Sequence, residues 1–153
     1  LLRLLTDEIG LRHVTFVGRV APDAIWRYYA EADIYLQTPD IDNMPSSVLE
    51  AFASGCVVVS TNAGGVPAIL TADTHGLLVD RGDHHAAAAS VIRLLEDPIL
   101  TRRLTAAARE SCEQYHWQAV RAKWVGLYQA VIPRATASTA AESGTAPSST
   151  RAV

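Results

Sequence analysis

Asp42 and Glu50 are the residues of this chain whose types and setting best suit binding of a polar, hydroxyl-rich ligand. They flank the start of a helical pattern in DIDNMPSSVLEAFASG, residues 40–55, which is followed by the β-branched run CVVVST and the pair Gly64-Gly65. A carboxylate accepts hydrogen bonds from hydroxyl groups, and a helix start offers N–H groups without intrahelical partners together with a partial positive charge. In this reading the amides near Asn43, Met44 and Ser46 face an anion or a sugar hydroxyl, and Pro45 in the first turn costs no hydrogen bond. Both acids also have plainer roles. Ser47-Val48-Leu49-Glu50 fits a capping box, with Glu50 closing back on the Ser47 amide, and spacing alone favours that role. Asp42 fits a turn residue before Asn43 equally well. Asp40-Ile41-Asp42 sets two loop carboxylates side by side without further ligands, so no metal is expected there. His84-His85 at another helix start read as solvated side chains, since no partner is spaced for a metal. Gly64-Gly65 serves either a positive φ or the close approach of a ligand to the backbone.

The hydrophobic pattern supplies the elements that would position these groups. Residues 1–10 carry Leu1, Leu4, Leu5 and Ile9 on one helical face, stopped by Gly10. VTFVG (14–18) reads as a strand, APDAIWRYYAEA (21–32) as a helix, DIYLQT (33–38) as a strand and PSSVLEAFAS (45–54) as a helix. CVVVST (56–61) and GLLV (76–79) read as further strands. On the helix at 45–54 the spacing turns Val48, Leu49, Phe52 and Ala53 to the core and Glu50 away from it, with Ser46, Ser47 and Ser54. Apolar strands without polar alternation, separated by helices, predict an α/β fold. It would be an incomplete Rossmann-like parallel sheet with flanking helices, whose ligands bind at the carboxyl ends of the strands. From Asp83 onward the pattern is helical only, with one helix over 83–97, a second from Pro98 through Arg109 and a third over 117–131.

With 153 residues, 49% hydrophobic and 19% charged, the chain has the size and balance of one globular domain. A net charge of −3 with no basic block argues against a nucleic-acid or anionic-membrane surface. Cys56 and Cys112 lack metal or redox spacing and are expected to be reduced and buried, which points to a cytoplasmic protein. No apolar run approaches the roughly 20 residues of a membrane span, and no cleavable signal is visible. The first residue is Leu rather than Met, so the chain is expected to be a fragment. Residues 134–153 are rich in Ala, Ser, Thr and Gly and are expected to be a disordered tail after a domain over 1–133.

DNMPSSVLEAFASGCVVVSTNAGGVP closely resembles the signature of the retaining, nucleotide-sugar-dependent glycosyltransferases of family four, or group one, which have the GT-B fold. In that family an acidic residue, seven intervening residues and a glutamate precede a glycine, a β-branched strand and a Gly-Gly turn; here these are Asp42, Glu50, Gly55, Val57 to Val59 and Gly64-Gly65. VTFVGRV, YYAEADIYLQT, GLLVDRGD and YHWQAVRAKWVGLY match further elements in order, so the resemblance covers residues 1–132. It implies the donor-binding, C-terminal half of a GT-B fold, with a nucleotide-diphosphate sugar as donor and neither cofactor nor metal. Glu50 would bind the ribose hydroxyls, Asp42 the hydroxyls of the transferred sugar, and the Asn43 and Met44 amides the sugar or β-phosphate. Gly18, Arg19 and Val20 would border the nucleobase, and Ser46 and Ser47 would line the nucleotide. Transfer would be front-face with retention, and no residue of this chain is assigned as catalytic.

The chain departs from the family pattern at two positions. Asp42 stands where glutamate is commoner, and Ala68 where an acid often follows the proline. The amino-terminal Rossmann-like domain that binds the acceptor, and the first donor-domain strands with their Arg and Lys clamp, are expected upstream of Leu1. The chain alone is therefore expected to be inactive and unstable. Donor sugar, nucleobase and acceptor are not legible, and any peripheral membrane association would come through the absent half. The competing readings are a non-catalytic remnant or nucleotide-binding interaction module, and an epimerase or phosphorylase on the same scaffold.

Overall fold

The computed structural model describes residues 2–132. Its sheet has three parallel strands in the order β1-β2-β3: β1 Ile34–Gln37, β2 Val57–Thr61 and β3 Gly76–Val79. Ile34 pairs with Val57, and Val58 with Gly76. All five residues of β2 are buried. Successive side chains of a strand point to opposite faces, so a strand covered on both sides reads as a continuous apolar run. Val58 points into a cluster with Val48, Ala51 and Phe52 of α3 (Ser46–Ser54), Val66 and Ile69 of α4 (Val66–Ile69), and Tyr29 of α2 (Ile25–Glu31). Val57 and Val59 point the other way, toward Leu77, Leu94 of α5 (His84–Glu96), and Leu100 and Leu104 of α6 (Pro98–Ser111). Each such buried Val, Leu, Ile or Phe side chain stabilises the fold by about 1.5–3 kcal/mol relative to exposure. The α/β reading holds: the sheet is parallel and Rossmann-like, with helices on both faces. On α3 the third buried position is Ala51 rather than Ala53, which is exposed.

Residues 14–18 correct the sequence reading. They form no strand, and Val14 and Val17 are about half exposed. A β-branched run becomes a strand only where a neighbour completes its hydrogen-bond ladder, and no strand among the described residues lies beside this one. The helices around it are also shorter than their patterns, with α1 at Leu2–Glu8 and α2 beginning at Ile25 after a turn. Gly10 ends α1 region with φ 71°, as its position implied.

The chain divides into two compact units, the first running to His116 and the second starting at Trp117. Within the second unit α7 (Trp117–Val131) follows the expected bounds, and Trp124 stacks on Tyr128 with ring centroids 5.7 Å apart. The tail expected from residue 134 lies outside the described residues. Among the described residues, no helix is long and apolar enough to cross a membrane.

Candidate functional site

The loop that leaves β1 carries Asp40 and Asp42 and enters α3, at the carboxyl ends of parallel strands. It is tied to the loops after β2 and β3. Thr61 Oγ1 donates to the Pro39 carbonyl (2.5 Å), the Gly65 amide to the Asp42 carbonyl (2.7 Å) and Arg81 Nη1 to the Asp40 carbonyl (3.4 Å). A Cβ at Gly64 would lie 2.0 Å from the Asp42 oxygen, and one at Gly65 would lie 1.5 Å from the Asn43 oxygen. The glycine pair therefore lets a protein loop, rather than a ligand, approach its backbone; Gly64 also takes a positive φ of 51°.

Helix α3 begins with Pro45 as its N-cap and has no side-chain cap bond. In contrast, Asp83 caps α5 through the Ala86 amide (2.8 Å), and Asp97 caps α6 through the Ile99 and Leu100 amides. The capping box expected at Ser47 and Glu50 is not formed. The helix starts two residues earlier than that box requires, and the capping residue is a proline with no N–H for a glutamate to accept from. Among the described residues, the amides of Asn43, Met44, Ser46 and Ser47 donate to no other group. Four unspent donors at the positive end of a nine-residue helix can donate to an anion or to hydroxyl oxygens.

Around these amides Asp42 is half-buried, while Asn43, Met44, Ser46 and Glu50 are exposed. Glu50 lies beside the phenol of the buried Tyr29, whose pKa is raised first by burial and then by Tyr35 and Glu50. Tyr29 and Tyr35 meet edge to face at 5.6 Å. The fold thus brings Asp42, Asn43, Met44, Ser46, Ser47 and Glu50 to one helix start. Gly18, with φ 77°, Arg19 and Val20 lie on the irregular segment before α2, and no hydrogen bond among the described residues joins them to that helix start.

Sequence reasoning passed over Gln37, Ser60 and Arg81. Gln37 Nε2 donates to Ser60 Oγ at 3.0 Å, and Ser47 Oγ donates to Gln37 Oε1 at 3.4 Å. The available signal was a polar residue in each of two otherwise apolar strands, because a buried polar group must find a partner. His84 and His85 are exposed, with rings 4.2 Å apart, and no group of three or more metal-ligating side chains occurs among the described residues. Cys56 is buried and donates to the Tyr29 and Ala32 carbonyls at 3.0 and 3.3 Å; Cys112 is only partly buried. Burial raises both thiol pKa values.

A family model described as glycosyl transferases group 1 matches residues 1–111. The chain is 33% identical over 131 residues to a GDP-mannose-dependent alpha-(1-6)-phosphatidylinositol monomannoside mannosyltransferase of Mycobacterium tuberculosis, covering 80% of this chain and 34% of that protein. It is 32% identical over 111 residues to a sulfoquinovosyl transferase of Arabidopsis thaliana, covering 71% of this chain and 22% of that protein. The solved structure of sucrose-phosphate synthase from Thermosynechococcus elongatus superposes with a TM-score of 0.77 at 28% identity, covering 84% of this chain and 33% of that one. The chain thus spans between about a fifth and a third of the length of these proteins. The match extends through the Asp42 loop, α3, the glycine pair and both faces of the sheet, and the chain belongs to the group 1 glycosyl transferases.

Proposed function

We propose that this chain forms the donor-binding wall of an enzyme that transfers a sugar from a nucleoside-diphosphate sugar to an acceptor with retention at the anomeric carbon. The observation that carries this reading is the uncapped start of α3, with its four free amides beside Asp42 and Glu50. A nucleotide sugar presents what those groups bind, namely hydroxyls for the two carboxylates and phosphate oxygens for the amides. Family membership supports the reading, as does the name of the mycobacterial relative, which depends on GDP-mannose. Glu50 takes the ribose hydroxyls and Asp42 the hydroxyls of the transferred sugar. The Asn43 and Met44 amides take the sugar or β-phosphate, Ser46 and Ser47 line the nucleotide, and Gly18, Arg19 and Val20 border the base.

In the proposed reaction the bond from the anomeric carbon to the diphosphate oxygen breaks. The acceptor oxygen bonds to the same face of that carbon, and its proton passes to the departing diphosphate. Fixed amides stabilise the developing charge without reorganising. The proposed chemistry invokes no metal ion and no cofactor. Arg81 turns its guanidinium to the Asp40 carbonyl, so the cationic clamp and the acceptor pocket are proposed to come from outside the described residues, and the chain alone is proposed to be inactive. A cytoplasmic site of action is supported by two free thiols, one of them buried. The test is a donor screen on the full-length enzyme, with the anomeric configuration of the product read by NMR. Saturable transfer with retention is expected; inversion overturns the stereochemical part, and no transfer from any nucleotide sugar overturns the reading.

A further inference from the structure

We propose that Gln37 is a positioning residue that sets the rotation of the first turn of α3, and hence the direction in which Glu50 leaves the helix. The inference rests on the donor-site reading above. Gln37 is the last residue of β1, at the point where the chain turns into the acidic loop. Ser60 beside it is fully buried, and its hydroxyl donates its single proton to the Thr61 carbonyl at 3.2 Å. The Ser60 oxygen is then an acceptor, and Gln37 Nε2 donates to it at 3.0 Å. With the amide nitrogen committed to β2, its Oε1 accepts from Ser47 Oγ at 3.4 Å and from Tyr35 OH at 3.3 Å.

One side chain therefore joins β1, β2 and α3, and it needs both a donor end and an acceptor end to do so. Ser47 and Glu50 are three residues apart on α3 and share a side of the helix. Pinning Ser47 thus fixes the azimuth of Glu50. The loop with Asp42 has its own anchors, in the Thr61 bond to Pro39 and the Gly65 bond to Asp42. The two acids are held separately, and loss of Gln37 displaces Glu50 while leaving Asp42 in place.

The test uses the full-length enzyme and its nucleotide-sugar donor. Gln37→Met keeps side-chain length and removes the amide; it is expected to raise donor KM about fivefold, the size of one neutral hydrogen bond, with kcat held within about twofold. In a Glu50→Ala background the same substitution is expected to raise donor KM by less than it does in the native enzyme, because the part of its effect that passes through Glu50 is already lost and only the part carried by Ser47 remains. An equal rise in both backgrounds, or a fall in kcat at constant KM with a lowered Tm, overturns the inference. If Gln37→Met does not fold, Gln37→Glu keeps both acceptors for Ser47 and Tyr35 and loses the donor to Ser60. It is expected to raise KM about twofold, and an unchanged KM overturns the inference. If Glu50→Ala itself leaves donor KM unchanged, the donor-site reading fails, a result separate from any Gln37 outcome.

Discussion

Glu50 stands on the solvent side of α3 with no capping duty, because the residue that starts the helix is Pro45. Glu50→Ala is therefore expected to leave the unfolding midpoint nearly unchanged and to weaken donor binding at least about tenfold, the size of a hydrogen bond to a charged group. Calorimetric donor titration beside thermal denaturation checks this, and a lowered midpoint with intact binding would restore the cap. The glycine pair makes the opposite prediction. In Gly65→Ala the new methyl would sit 1.5 Å from the Asn43 oxygen, so one of the two loops must move. About 2 kcal/mol of destabilisation is expected in urea denaturation, together with weakened donor binding. Gly82 is a control of the same type: it has φ 78° but open space around it, so Gly82→Ala meets only the backbone cost of about 1 kcal/mol.

The helices divide between stability and binding. Asp83 and Asp97 spend their carboxylates on the first amides of α5 and α6, and Asp97→Ala is expected to cost about 1 kcal/mol without affecting the donor. Helix α3 leaves its first amides unspent and draws its stability from the buried side. Val48, Ala51 and Phe52 pack there on Val58, and Gly55 closes the helix in the left-handed region at φ 87°. Phe52 is wholly buried, so Phe52→Ala is expected to cost about 3–5 kcal/mol, measured by chemical denaturation. A helix held by its apolar face can leave its polar end open, whereas one held by caps cannot.

At the scale of the first unit, protection should follow the ladder. Amides of β2, paired on both sides and buried at every residue, are expected to exchange slowest with deuterium, and those of residues 14–18 within the fastest group. Slow exchange across 14–18 in this chain would show that the segment pairs after all. Cys56 is shielded in the same way, its thiol lying under α2 with both its contacts to backbone carbonyls. It is expected to resist alkylation in the folded chain and to react after unfolding.

The sequence by itself determined the elements whose stabilising contacts are short-range or strongly patterned. The runs at β2 and β3, the start of α6 at Pro98, the bounds of α7 and the outward direction of Glu50 were legible because hydrophobic period and proline chemistry are local. Membership of the group 1 glycosyl transferases was legible through resemblance. Only the tertiary structure decided that residues 14–18 form no strand, since a ladder depends on a neighbour distant in sequence. It alone decided that the Gly64-Gly65 turn packs on the backbone of Asp42 and Asn43, two loops about twenty residues apart in the chain. It also made Gln37 a junction, because its partners Ser47 and Ser60 come from two other elements and no spacing rule connects them.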